Sequence, residues 1–413
     1  MRVGRATHLA RPGGQDVRTS THAAVVEVAH LARRGPDRAF PNVADMNTAH
    51  IETVIIGAGQ AGLSTGYHLK RRGREFVILD ANARIGDNWR CHWNSLCLYT
   101  PAKYDSLPGL RFPGEPWSFP TKDDVGSYLE SYVVHHDLPV RTSTRVESVD
   151  PLPDGGYQLT LDGGVVTCQN LVIATGTFGR TPSVPEAAGA LDPGIQQLHS
   201  SEYKHPGQVQ PGAVLVVGAS HSGTDIAFEL ADTHPTILCG RDCGEIPIKL
   251  ESRRMRIAFP VLLFLARYVL TRRTPIGRKA MADVRFHGGP MLRVKRHDLA
   301  DRGVVRNAAR FVGTKDGMPL LEDGTVVDVA NVIWATGFRQ TFDWIHLPVL
   351  QADGWPAEYR GEVAGAPGLF FCGLSFQYAF ASMVFPGVGR DADHVAGLID
   401  AKTRDRLPAR SAA

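Results

Sequence analysis

Three glycines in the stretch Gly57-Ala-Gly59-Gln60-Ala-Gly62 supply what a bound pyrophosphate needs. Gly57 allows a tight turn, Gly59 leaves no side chain between backbone and phosphate, and Gly62 lets a helix pack close to a strand. A helix starting there turns free N–H groups and its positive dipole end toward the phosphates. Asp80 ends the next apolar run, placed to accept hydrogen bonds from a ribose diol. Gly218-Ala-Ser220-His-Ser222-Gly223 repeats the pattern, with His221 and Ser222 as further phosphate or ribose contacts. Counting 23 positions from the first glycine reaches Asp80 in the first set and Arg241 in the second. An acid suits the free 2′-hydroxyl of NAD, whereas an arginine fork suits the 2′-phosphate of NADP.

Strands and helices must hold these residues. Val54, Ile55 and Ile56 form a β-branched run suited to a buried parallel strand. Leu63, Tyr67 and Leu69 continue the helix, which stops at Gly73, and Glu75–Leu79 reads as the next strand. After the second turn, Ile226, Phe228 and Leu230 mark a helix and Thr236–Cys239 a strand. Two more apolar runs end in Ala-Thr-Gly, one at Thr175-Gly176 and one at Thr336-Gly337. Gly57 to Gly176 and Gly218 to Gly337 are the same distance apart, 119 positions. The chain therefore carries one two-part pattern twice, which predicts an α/β fold with two Rossmann-like dinucleotide-binding domains. Val125–Val133 has helical spacing, and 146–149, 157–161 and 165–167 read as a small β-meander.

The chain has 413 residues, 43% of them hydrophobic, and a formal charge of +3. That length suits two or three domains with substantial cores, and the near-neutral balance points to no nucleic-acid partner. The six cysteines show no zinc spacing, so no metal site is expected and a reducing cytoplasm is the default. Residues 1–45 are rich in Arg, Gly, Pro and Thr without a signal-peptide core, and read as a disordered tail or a mis-called start upstream of Met46.

Between Ile85 and Pro120, Gly, Asn, Trp, Thr and Pro crowd together with little periodicity, as in a loop that wraps a ligand. This wrap follows the first unit only, so the first suits a large, permanently bound cofactor and the second one that comes and goes. The carriers of a family resemblance are Gly57–Gly62, Gly86…Trp89-Arg90, Ser95…Thr100-Pro101 and Leu107-Pro108-Gly109. Both Ala-Thr-Gly strands, Gly218–Gly223 and Pro367…Gly373 with Gln377 complete the set. Over roughly 50–400 the chain resembles the flavin-containing monooxygenase group of class B flavoproteins, in its bacterial and plant-type branch. The resemblance implies FAD on the first unit, with Asp80 on the adenosine ribose, Trp89, Arg90 and Thr100 near the isoalloxazine, and Gly373 and Gln377 near the flavin. It implies an NADP domain inserted between the Ala-Thr-Gly strands. The expected division is 46–180 for the first part of the FAD domain, 181–335 for the NADP domain, 336–400 for the returning FAD part and 401–413 for a tail. NADPH would reduce FAD, and O2 would add to give a C4a-peroxyflavin that oxygenates a small, lipophilic substrate. The catalytic residues stay unknown. The alternatives are an NADPH-dependent FAD reductase or oxidase without oxygen insertion, and a non-catalytic nucleotide-binding protein.

Two departures from the family pattern stand out. In 193–203, His199 and Tyr203 fit its fingerprint, but the expected Phe and Gly do not. Tyr99 stands before Thr100 where animal-type members carry Asn. His199 reads as a hinge histidine packing domain linkers rather than a catalytic one. Cys91 and Cys97, and Cys239 and Cys243, lack the spacings of dithiol reductases. Phe259–Leu270 is apolar and flanked by arginines through Lys279, too short to span a bilayer. It reads as a helix roofing the substrate entrance, with a peripheral membrane contact through 253–279 as the alternative.

Overall fold

The computed structural model describes residues 50–177 and 181–406. The expected tail at 1–45 lies outside the described residues, as do positions 407–413 of the expected tail at 401–413 and the boundary at 180. Two sheets account for most strands. In the first, His50–Ile56 lies between Phe76–Leu79 and Gly164–Ile173, parallel to both. Leu369–Phe371 adds in parallel beyond Gly164–Ile173, and Val140–Arg141 beyond Phe76–Leu79. In the second sheet, Val214–Val217 lies between Thr236–Cys239 and Asn331–Trp334, again parallel to both. Val305–Asn307 and Gln196–His199 are its parallel edges. The internal repeat is thus a repeat of strand order. The second sheet's strands all lie, in sequence, between Gly164–Ile173 and the return of the chain to the first sheet at Glu358–Phe371.

The central strands are hydrophobic on both faces because both faces are covered. Ile55, Leu63, Leu69 and Ile78 pack with Tyr128, Tyr132 and Val395 on one side. Val54, Val77 and Leu79 pack with Leu159, Trp355 and Phe371 on the other. Each fully buried Val, Ile or Leu contributes ~1.5–3 kcal/mol by leaving water, so these strands anchor the turns at their ends. The helix Lys122–His136 starts at a capping box, in which Asp124 N donates to Thr121 Oγ1 at 3.2 Å and Thr121 N to Asp124 Oδ2 at 2.9 Å.

Two expectations shift. The third strand of the meander and the strand ending at Ala174 are one continuous element, Gly164–Ile173. Its first half pairs antiparallel with Tyr157–Leu161 and its second half parallel with His50–Ile56, so one strand serves both readings. The last helix runs Phe385–Arg406, past the expected boundary at 400, because Val395, Ala396 and Ile399 bury its inner face. Among the described residues, no helix is long and apolar enough to cross a membrane.

Candidate active site

The parallel strands deliver their chemistry at their carboxyl ends, where such folds bind ligands. Gly57, Asp80, Gly176 and Gly373 follow four strands of the first sheet. Gly57 has φ +105, and a Cβ there would lie 2.6 Å from the Ala174 carbonyl oxygen. A Cβ on Gly62 would lie 1.8 Å from Gly57 O, so only glycine lets the helix Gln60–Arg71 approach the strand. A Cβ on Gly59 would meet nothing nearer than Asn88 Nδ2 at 3.7 Å. A Cβ there would make only an ordinary contact with Asn88, so the protein itself does not fill the space over Gly59. Gln60 Nε2 donates to Met383 O at 2.9 Å, while its Oε1 is buried without a partner. A cradle that a side chain would fill, with an unpaired acceptor at a helix N-terminus, fits a ligand carrying both phosphate and donor groups.

Asp80 is held by its own turn. Its Oδ2 accepts from Ala58 N at 2.6 Å, and its Oδ1 from Asn82 N and Nδ2, each at 2.8 Å. Arg90 faces the chain itself. Its Nη1 donates to Ile85 O at 2.7 Å and its Nη2 to Glu130 at 2.9 Å, which bolts the Gly86–Arg90 loop onto the helix Lys122–His136. Trp89 packs 6.1 Å from the Phe385 ring. Gln377 is wholly buried and spends its amide on its own turn, accepting from Gly373 N at 2.9 Å and donating to Phe371 O at 2.9 Å. A Cβ on Gly373 would lie 2.6 Å from Ala61 Cβ, so that turn closes directly over the start of the first helix. Thr175 and Gly176 follow the strand Gly164–Ile173, with φ +77 at Gly176, and Ser375 N of the Gly373 turn donates to Thr177 Oγ1 at 2.6 Å.

Thr100 hydrogen-bonds a residue that sequence reasoning missed, Asp105, whose carboxyl is fully buried. Burial pushes Asp105 up to about 8, against the pull of the Thr100 hydroxyl, and its Oδ2 has no partner. No periodicity marks Asp105, which stands in a proline-rich loop that also carries Lys103, Arg111 and Glu115. Asp225, also missed, lies on the helix His221–Leu230 and accepts from Tyr99 Oη at 2.8 Å. Burial raises Asp225 to about 6, while Tyr99 and Arg293 pull it down.

The second turn repeats the first in backbone. Gly218 has φ +110, and a Cβ on Gly223 would lie 1.7 Å from Gly218 O. Ser220 replaces the second glycine, and its Oγ donates to Gly289 O at 2.9 Å. Ser222 is half-buried on the first turn of the helix. His221 lies 5.2 Å from the Tyr99 ring, and burial pushes it down to about 4. Thr336 Oγ1 donates to Ser183 O, and Gly337 has φ +78, like Gly176. His199 Nε2 lies 3.0 Å from Gly337 O and Nδ1 2.8 Å from Ser201 Oγ, so this buried imidazole ties strand ends together.

The counted equivalence of Arg241 with Asp80 shifts by one. Gly57 N bonds Leu79 O and Gly218 N bonds Cys239 O, so the residue matching Asp80 is Gly240. The second unit is one residue shorter between its turn and its second strand. Arg241 follows as an exposed side chain, and the acid of the first unit has no counterpart. Arg296 sits nearby, holding Asp242 through 2.7 and 2.9 Å bonds. All six cysteines are free, with the Cys91 and Cys97 thiols turned to nearby backbone carbonyls.

Two such turns at the carboxyl ends of parallel strands in two sheets define a fold with two dinucleotide-binding units. The family described as pyridine nucleotide-disulphide oxidoreductase matches residues 54–241. The uncharacterized oxidoreductase CzcO of Bacillus subtilis is 35% identical over 347 residues, covering 83% of this chain and 97% of that one. The probable indole-3-pyruvate monooxygenase YUCCA3 of Arabidopsis thaliana is 28% identical, over 80% of this chain and 83% of that one. The flavin-containing monooxygenase from Stenotrophomonas maltophilia superposes with a TM-score of 0.67 at 27% identity, over 86% of this chain and all of that one. The chain belongs to the flavin-containing monooxygenase-like family of class B flavoproteins. It is an enzyme of that oxidoreductase family.

Proposed function

We propose that the chain is an NADPH-dependent monooxygenase that holds FAD in its first unit and transfers one oxygen atom of O2 to a small, lipophilic substrate. The observation that carries the cofactor assignment is the unfilled space over Gly59 beside the unpaired Gln60 Oε1. In this reading Gly57, Gly59, Gln60 and Gly62 hold the FAD pyrophosphate, and Asp80, preset by three internal donors, receives the adenosine ribose. Trp89, Thr100, Thr175, Gly176 and Gly373 surround the flavin. Arg90 and Gln377 act one step removed, by fixing the loops that carry those residues. Gly218, Ser220, Ser222, Gly223, Thr336 and Gly337 receive NADPH, and Arg241 reads its 2′-phosphate. Residues 46–180 and 336–400 form the FAD domain and 181–335 the NADP domain. When bound, FAD supplies the two-electron and oxygen chemistry. The chain binds, orients and keeps water away from that chemistry. Free cysteines throughout suit a cytoplasmic location.

The test is cofactor extraction followed by turnover with a panel of lipophilic substrates under 18O-labelled dioxygen. FAD in the extract and label in the product, matched to NADPH consumed, is the expected result. FMN in the extract would overturn the assignment of the first unit. NADPH consumption matched only by hydrogen peroxide would make the protein an oxidase.

A further inference from the structure

Between Thr236–Cys239 and Val305–Asn307 of the second sheet, the chain leaves on a long excursion. It forms a helix over Arg253–Phe264, a π-helical turn over Leu265–Val269 and a second helix over Pro275–Phe286. The first of these has two unlike faces. Met255 and Phe259, four residues apart, are buried, and Phe259 stacks on Tyr104 at 4.8 Å. Ile257, Val261 and Phe264, spaced by four and then three residues, lie on the opposite side and are 80%, 59% and 57% exposed. Leu262, Leu265, Tyr268 and Ile276 are exposed with them. Arg254, Ile257, Ala258, Val261 and Leu262 line a shallow apolar depression there. A run of large exposed apolar side chains of this extent marks a contact surface.

The excursion is fixed from beneath. Phe380 N donates to Leu270 O and Arg272 N to Tyr378 O, each at 2.9 Å. Arg390 Nη1 donates to Arg267 O at 2.7 Å, and Arg272 pairs with the buried Glu358 at 2.6 Å. Its outer face is therefore held in place by the returning part of the first sheet. An entrance roof turns its apolar side inward; here the inward positions are few and the outward ones many.

Charge identifies the partner. Arg253, Arg254, Arg256, Arg273, Arg278 and Lys279 are exposed around the apolar side chains. No acidic residue occurs between Glu251 and Asp283. In a symmetric contact with a second copy, the same patch meets itself, and these cations would face cations. A surface with an apolar interior and anionic headgroups matches both features at once. We propose that residues 253–279 dock this enzyme on an anionic phospholipid bilayer surface, with Ile257, Val261, Phe264 and Tyr268 inserted at the headgroup level and the arginines over the phosphates. The docking would bring the enzyme to the phase in which lipophilic substrates concentrate, but it does not depend on the assigned reaction.

The experiment is flotation of the cofactor-loaded, full-length protein with phosphatidylcholine vesicles, with and without phosphatidylglycerol. Phosphatidylglycerol should raise the bound fraction by roughly tenfold or more, and high salt should reverse the gain. Phe264→Asp should abolish flotation, and the triple change Arg253→Gln, Arg254→Gln, Arg256→Gln should cut the gain from phosphatidylglycerol severalfold, with Arg273, Arg278 and Lys279 still in place. Circular dichroism and flavin absorbance verify that both variants fold. Absence of flotation with phosphatidylglycerol vesicles overturns the proposal, as does equal binding to neutral ones. A dimer in sedimentation that Phe264→Asp dissociates, without any vesicle binding, would assign the face to a second copy instead.

Discussion

The turn after His50–Ile56 and the turn after Val214–Val217 share one backbone. Cβ atoms at Gly57 and Gly218 would lie 2.6 and 2.3 Å from the carbonyl oxygens of Ala174 and Ala335. Cβ atoms at Gly62 and Gly223 would lie 1.8 and 1.7 Å from the oxygens of Gly57 and Gly218. The units part at the middle position. Over Gly59 there is room; over Ser220 lies the Gly288-Gly289 segment, which accepts the Ser220 hydroxyl. A Cβ on Gly288 would come within 2.5 Å of Ser220 Cβ, and one on Gly289 within 2.9 Å of the His221 ring. The outer glycines of each triplet are thus a packing requirement common to both units. The middle position is where they diverge, with an open approach to the backbone in the first unit and a serine lip under its own chain in the second.

That division ranks the expected effects. Gly62→Ala should act on the fold itself, since the new methyl overlaps backbone and cannot be relieved by a rotamer. A loss of about 3 kcal/mol or more is expected in denaturant unfolding. Gly223→Ala should behave alike, and a wild-type stability for either would break the equivalence of the two units. Gly59→Ala should keep wild-type folding by circular dichroism and yet give a largely colourless protein. Full flavin occupancy in that variant would show that the middle glycine of the first turn does not face the cofactor.

Arg241→Ala comes next and probes the second unit alone. A charge-assisted pair with the 2′-phosphate is worth ~1.5–3 kcal/mol, so KM for NADPH should rise roughly tenfold to a hundredfold. KM for NADH should hardly move. Equal losses for both coenzymes would hand the phosphate to another cation, with Arg296 the neighbour to try, since it is already close to the same loop through Asp242.

The parts of this fold that were legible in sequence are those set by local chemistry. Gly57, Gly62, Gly218 and Gly223 announce themselves because no other residue fits, and Val54–Ile56 and Val214–Val217 because buried parallel strands tolerate little else. Counting residues failed by one at Arg241, where a connection shortened by a single position moves Gly240 into the place of Asp80. Asp225 is not marked in the sequence because its partner comes from a distant segment, and Asp105 because a lone acid in a loop without periodicity carries no sign of its burial. Tyr99 and Asp225 are 126 positions apart. Arg90 and Gln377 are expected near the flavin, and the bonds the structure shows for them run to the chain itself, from Arg90 to Ile85 and Glu130 and between Gln377 and its own turn. A motif marks that a residue matters at a place, and only the packing tells whether it faces inward or outward there.

The smallest expected effect concerns one of the bonds between the two units, beside those from Asn94 N to Lys204 O and from Arg293 to Leu98 O. Tyr99 belongs to the wrap of the first and Asp225 to the helix of the second, and their 2.8 Å hydrogen bond is charge-assisted when Asp225 is ionised. Burial holds Asp225 at about 6, above the ~3.9 of an unfolded aspartate, so the folded state binds this proton more tightly. Its contribution to stability therefore falls as pH rises from about 4 to about 6 and is constant above that. Tyr99→Phe removes the donor that favours the ionised form, which raises Asp225 further and extends the fall to higher pH. The variant should lose little stability near pH 4.5 and about 1 kcal/mol near pH 8, where a half-buried carboxylate is left without its partner. Thermal unfolding of both proteins at the two pH values measures the difference. A cost that is larger at the acidic end would mean that Tyr99 serves the packing of the wrap and that the hydroxyl does not tie the two units together.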